Sequence, residues 1–186
     1  MNYLIKFSLA LIFLTGISAC RTNAQTVDLS TKEAVLEELG KQKKSDLSKA
    51  KICVERLEES AKVIIIGFFR NDYGCHLDGA FVNSVYIEDG ADLSQKALDA
   101  LGWEKANQER REQLAVAWVE KGLLAFSTVL YTKDKDFGNG EFQPPNVVSK
   151  DNGEVVVTLW TRTMRRKKEF HQLEYRFAKD GSLSGN

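Results

Sequence analysis

The chain has 186 residues, with 26 Lys and Arg balanced by 26 Asp and Glu. That neutrality argues against a nucleic-acid-binding domain, which carries a clear excess of basic charge. Hydrophobic residues make up 43% and aromatics 10%, and only two prolines occur, so the composition is that of a folded protein and not a disordered one.

At the N-terminus, Lys6 precedes an apolar run from Phe7 to Ile17, and small residues follow. This is the order of a secretory signal peptide. The run is about 11 residues, well short of the roughly 20 that a spanning helix needs. The segment closes on Ile17-Ser18-Ala19-Cys20, which resembles the lipobox of bacterial lipoproteins. The resemblance implies cleavage before Cys20, lipid on its sulfur, and a place in the bacterial cell envelope. Arg21 stands where an aspartate would imply inner-membrane retention, so the resemblance points to the outer membrane facing the periplasm in a Gram-negative host. A second reading cuts after Ala24 and yields a soluble secreted protein. The expected organisation is a signal peptide over 1–19, a lipidated cysteine and tether over 20–29, and one domain over 30–186.

The elements follow in chain order. Ser30, with Glu33 three residues on, has the spacing of a capping box and predicts a helix carrying Val35, Leu36 and Leu39. The polar stretch Gly40 to Ser45 predicts a break. Leu47, Ala50, Val54, Leu57 and Ala61 recur at three- and four-residue steps, predicting a second helix from Ser45. Val63 to Phe69 is a continuous apolar run, β-branched at its start and with Gly67 inside it, and predicts a buried strand. Asn71-Asp72-Tyr73-Gly74 predicts a turn, and Ala80 to Ile87 a further strand.

Asp92 with Gln95 repeats the capping spacing ahead of Leu93, Ala97, Leu98 and Leu101. A longer helix is predicted from Trp103 to Lys121, stopped by Gly122. Leu123 to Thr132 is apolar on both faces, which predicts a central strand. The last third predicts a β meander: a weak strand over Phe142 to Ser149, then Glu154 to Thr163 and Glu169 to Lys179. Side-chain parity sets the register of the last two. Val155, Val157 and Leu159 share one face, as do Leu173, Tyr175 and Phe177. Joining those faces pairs Leu159 with Leu173, Val157 with Tyr175 and Thr161 with His171. The expected fold is a single α+β domain, its helices packed on a mainly antiparallel sheet, with cystatin-like or NTF2-like architecture as one form this could take.

Assigning Cys20 to lipid leaves Cys53 and Cys75, an even pair in an oxidising compartment, and predicts a disulfide. The alternatives are two separate buried thiols or a reactive Cys75. The latter lies in Asp72-Tyr73-Gly74-Cys75-His76-Leu77-Asp78-Gly79, the stretch richest in chemistry. A thiolate there would need His76, or His171 brought across the fold, as its base. Metal binding lacks support: two histidines occur, and no paired-cysteine or paired-histidine spacing. Asp134, Asp136 and Glu141 around Gly138 and Gly140 loosely resemble a calcium loop but miss its ligand pattern, so a solvated turn is expected. Arg162, Arg165, Arg166, Lys167 and Lys168 form the densest basic patch, read as a hairpin tip or as a contact for anionic headgroups. Trp103, Trp118 and Trp160 are expected as core anchors.

No cofactor is expected. The expected partners are the membrane, through Cys20, and another envelope protein or a small apolar ligand. The leading expectation for function is a lipid-anchored, non-enzymatic binding domain. The alternatives are an envelope enzyme using Cys75 and His76, or a carrier of an apolar ligand.

Overall fold

The computed structural model describes residues 28–57, 62–69, 74–138, 140–164 and 168–183. The lipobox segment, the Asn71-Asp72-Tyr73 turn and Arg165, Arg166 and Lys167 lie outside them.

Helix α1 spans Lys32–Lys43. Its cap is Thr31, one residue past the expected Ser30; the Thr31 hydroxyl accepts a hydrogen bond from the Ala34 amide at 3.1 Å. Gly40 does not break it. The helix continues through Gly40 to Lys44, which takes a left-handed φ of 52°, and the Ser45 amide returns to the Gly40 carbonyl at 3.0 Å.

The predicted second helix is replaced by strand β1, Ile52–Leu57. The apolar steps from Leu47 to Leu57 fit a helix by count. However, Ile52-Cys53-Val54 is a β-forming run, and the neighbouring strand supplies the stronger constraint. That neighbour, β2 (Val63–Phe69), is buried from Val63 through Gly67 and needs hydrogen-bonded strands on both edges. It receives β1 on one side and β3 (Cys75–Val82) on the other. The single strand expected over Ala80 to Ile87 is a hairpin. Asn83 and Ser84 both adopt positive φ, 48° and 68°, and turn the chain into β4, Val85–Glu88. The first sheet is an antiparallel meander in the order β1-β2-β3-β4.

Helix α2 spans Ala91–Ala100 and buries Leu93, Ala97 and Leu98. The expected cap from Asp92 does not form; Asp92 sits in the first turn, 3.6 Å from Lys96. The long helix predicted from Trp103 divides into a 3₁₀ turn at Trp103–Lys105, helix α3 (Gln108–Trp118, capped by the Asn107 side chain) and a π turn at Val119–Leu123. Leu123 and Leu124 thus belong to the end of that helix. The following strand, β5, is only Thr128–Leu130 and among the described residues pairs with β7 alone, so the central strand expected there is an edge strand.

The second sheet is centred on β7 (Val155–Met164). β8 (Lys168–Phe177) flanks one side, while β5 and β6 (Asn146–Ser149) share the other. Pro144-Pro145 precedes β6 at the sheet edge, where missing amide donors cost nothing. The β7–β8 register is the predicted one: Leu159 opposite Leu173, Val157 opposite Tyr175, Thr161 opposite His171.

The chain is therefore α+β, with its strands divided between two sheets. The main core lies between them. It joins Leu57, Val63, Ile65 and Ala80 of the first sheet, Trp103, Leu114 and Trp118 of the helices, and Val157, Leu159 and Phe177 of the second. The opposite face of the first sheet, with Ile52, Ile64, Ile66 and Phe81, packs on Val35 and Leu39 of α1. The two sets alternate along β2, so one strand serves both cores.

Candidate functional site

Cys75 opens β3 and is bonded to Cys53 of β1, with Cα atoms 6.3 Å apart. The bridge passes over β2, which lies between them, and Gly67 makes this possible. Gly67 stands opposite Cys53 in one pairing and Leu77 in the other. A Cβ there would lie 2.7 Å from the His76 carbonyl oxygen and 2.3 Å from the Phe126 ring. Without one, the start of β3 bends over β2 and brings Cys75 within reach of Cys53.

The sulfur is thereby removed from nucleophilic use. His76, on the opposite face by parity, is exposed and stands across from Phe68. His171 belongs to the other sheet, half-exposed, with Glu169 at 3.7 Å. Among the described residues, these placements bring neither histidine to a free thiol.

The same loop contains a cluster that sequence reading missed. The β2–β3 register slips between Ile66 and Gly67, which leaves Asp78 as the extra residue of a bulge. The Lys43 ammonium at the end of α1 donates to the Asp78 carboxylate at 2.7 Å. It also stands 5.0 Å from the centre of the Tyr86 ring. The Tyr86 hydroxyl lies against the Asp78 carboxylate and 2.9 Å from its carbonyl oxygen. Burial pushes the Tyr86 phenol well above its ordinary range, assisted by the hydrogen bond to Asp78 and by the negative charges of Asp78, Glu88 and Asp89. The cluster ties α1 to the bulge, and its polar atoms are spent on one another.

The calcium-like loop is likewise occupied by internal partners. Asp134 takes the Asp136 amide at 2.9 Å and Arg162 at 2.7 Å, and Lys168 pairs with Asp136. The Asp136 amide, with Arg162 and Lys168, holds the Asp134 carboxyl below its usual range. Two residues of the basic patch are thus neutralised by this loop. Phe137 packs on the outer face of the second sheet, with ring centres 4.7 Å from Trp160 and 5.1 Å from Phe170. Trp160 is therefore an outer anchor, while Trp103 and Trp118 are fully buried in the main core. Among the described residues, no group of three or more acidic, histidine or cysteine side chains could hold a metal ion.

A groove of about 400 Å³ runs between α3 and β6. Glu109, Glu112, Val116 and Glu120 line it from the helix side, and Val147 from the strand. The Ser149 hydroxyl donates to Glu112 Oε1 at 2.6 Å. Tyr131, hydrogen-bonded to Glu120 and with its phenol raised chiefly by burial, stands beside the far end. Comparison with family models, curated proteins and solved structures finds no match for this chain.

Proposed function

We propose that this chain is a lipid-anchored protein of the bacterial cell envelope that acts by binding a partner. The reading is carried by Ile17-Ser18-Ala19-Cys20 at the close of a signal-like segment. The bonding of Cys53 to Cys75 supports it in two ways. A structural disulfide suits an oxidising compartment. It also leaves Cys20 as the one cysteine of the chain not committed to that bond. Attachment by this route rests on acyl chains at Cys20; no helix among the described residues is long and apolar enough to cross a membrane. Binding is preferred to catalysis because Cys75, the strongest candidate nucleophile, is held in the bridge.

The full chain is expressed in a bacterial host, fractionated and weighed by intact mass spectrometry. The expected product is a membrane-bound chain beginning at Cys20 and carrying acyl mass, which Cys20→Ala abolishes. A soluble chain beginning at Gln25 refutes the anchor.

A further inference from the structure

We infer that the groove between α3 and β6 binds an extended peptide segment, which adds as a strand to the β6 edge and carries two basic residues flanking an apolar one. The inference deepens the binding role proposed above and rests on it.

The edge is the first part of the argument. Among the described residues, β6 pairs with β7 alone. The Lys150 amide donates to the Glu154 carbonyl at 2.8 Å, which continues the β6–β7 ladder by one pair. Hydrogen-bonded pairs alternate in an antiparallel ladder. Asn146 and Val148 therefore direct their amides and carbonyls toward β7, while those of Val147 and Ser149 point away, along the open edge. Pro144 and Pro145 provide no donors, so the edge available to a new strand is confined to these four residues.

The wall is the second part. Val147 and Ser149 pair with the inward-facing Val157 and Val155, so their side chains lie on the helix side of the sheet. Ser149 bonds to Glu112, while Val147 shares the groove with Val116. Helix and strand therefore run antiparallel along the groove. An added strand would lie beside β6 with alternate side chains turned to α3. From Glu112 to Val116 is about 6 Å along a helix, and from Glu112 to Glu120 about 12 Å. Alternate residues of a strand advance by about 6.7 Å, and every fourth by about 13 Å. A segment of the form basic–x–apolar–x–basic thus sets its first cation near Glu112, its apolar side chain over Val116 and Val147, and its second cation near Glu120. The wall is acidic at Glu109, Glu112 and Glu120, with Lys121 the one base among the described residues that line the groove. Main-chain bonds would supply affinity and the alternating pockets specificity, the usual division in strand addition.

The test uses the full chain, purified from whichever cell fraction holds it. The probe is a fluorescein-labelled nine-residue peptide of threonine with lysine at positions three and seven and valine at five. A control carries glutamate at both lysine positions. Saturable binding of the basic peptide is expected from anisotropy, with at least tenfold weaker binding of the control. Hydrogen–deuterium exchange over residues 146–149 is expected to slow on binding. The double variant Glu112→Gln, Glu120→Gln, which retains a hydrogen-bond acceptor for Ser149, is expected to lose at least tenfold in affinity with unchanged circular dichroism. Equal binding of the control, unchanged exchange at 146–149, or a double variant within twofold of wild type overturns the inference. Intact mass of the same sample records the state of Cys20. An acylated chain that ignores the peptide refutes the groove alone, and an unacylated chain that binds it refutes the anchor alone.

Discussion

Removing the bridge with Cys53→Ala and Cys75→Ala tests how much of this fold a single cross-link holds. The closed loop runs from residue 53 to 75, a separation of 22. In the chain-entropy model, freeing a loop of that length from the unfolded ensemble costs about 3.4 kcal/mol. The bridged strands are already paired to β2 on either side, and both half-cystines are only part-buried, so little packing is lost on substitution. The expected loss is therefore close to the entropic figure, about 3 kcal/mol. For a folded region of this size that corresponds to a fall in Tm of about 10 °C. Guanidinium unfolding of the oxidised chain, the dithiothreitol-reduced chain and the double variant gives the measurement. Reduced and double-variant chains should coincide, and both should show a steeper denaturant dependence, because an uncross-linked unfolded state exposes more surface. A loss under 1 kcal/mol, or a reduced chain that differs from the double variant by more than that, refutes the reasoning.

Tyr86→Phe should cost about 1–2 kcal/mol at pH 7 through the lost hydrogen bond to Asp78. The Tyr86 phenol titrates higher folded than unfolded. The stability it contributes is therefore complete below about pH 10 and is lost as pH rises beyond that. The variant should show a shallower alkaline decline by circular dichroism, retaining the part due to Tyr131 and Tyr175, whose phenols are also raised; an unchanged slope counts against the cluster. Gly79→Ala would place a Cβ 2.2 Å from the Ile87 carbonyl oxygen, a backbone atom that cannot rotate away. Thermal unfolding should show at least about 1–3 kcal/mol of destabilisation, and a neutral result would mean the bulge is not held as described.

How far the sequence carried depended on whether local pattern and tertiary pairing agreed. In β7 and β8 they did: the parity of Val155, Val157 and Leu159, and of Leu173, Tyr175 and Phe177, left one register that buries both apolar sets, and the hairpin adopts it. Between Ser45 and Leu57 the pattern was ambiguous. Leu47, Ala50, Val54 and Leu57 fit a helical stripe, and the strand reading wins chiefly because β2 requires a hydrogen-bonded neighbour. At Asn83-Ser84 the turn was concealed in an apolar run, since Phe81, Val82 and Val85 continue the hydrophobicity on both sides. The cysteine pairing was legible by subtraction once Cys20 was assigned elsewhere. The groove was not legible. Glu109, Glu112 and Glu120 read as the solvent face of a helix until the β6 edge lies beside them.

The bulge, the bridge and Gly67 make one device rather than three features. β2 must run unbroken, because its alternate residues serve two cores. The departure from regular pairing therefore falls on β3, where Asp78 is the extra residue. That extra residue inverts parity along β3: Leu77 and Cys75 join the face of Ala80 and Val82, while Asp78 turns toward Lys43. Without the bulge, Cys75 would lie on the α1 side of the sheet and Cys53 on the core side, and no bridge could form. The glycine that accommodates the bend and the aspartate that creates it sit on neighbouring strands, within one pair of each other. A side chain at Gly67 should therefore do more than crowd Phe126, since it would also separate Cys53 from Cys75. Gly67→Ala is thus coupled to the disulfide, and its cost should shrink in a chain that already lacks the two cysteines.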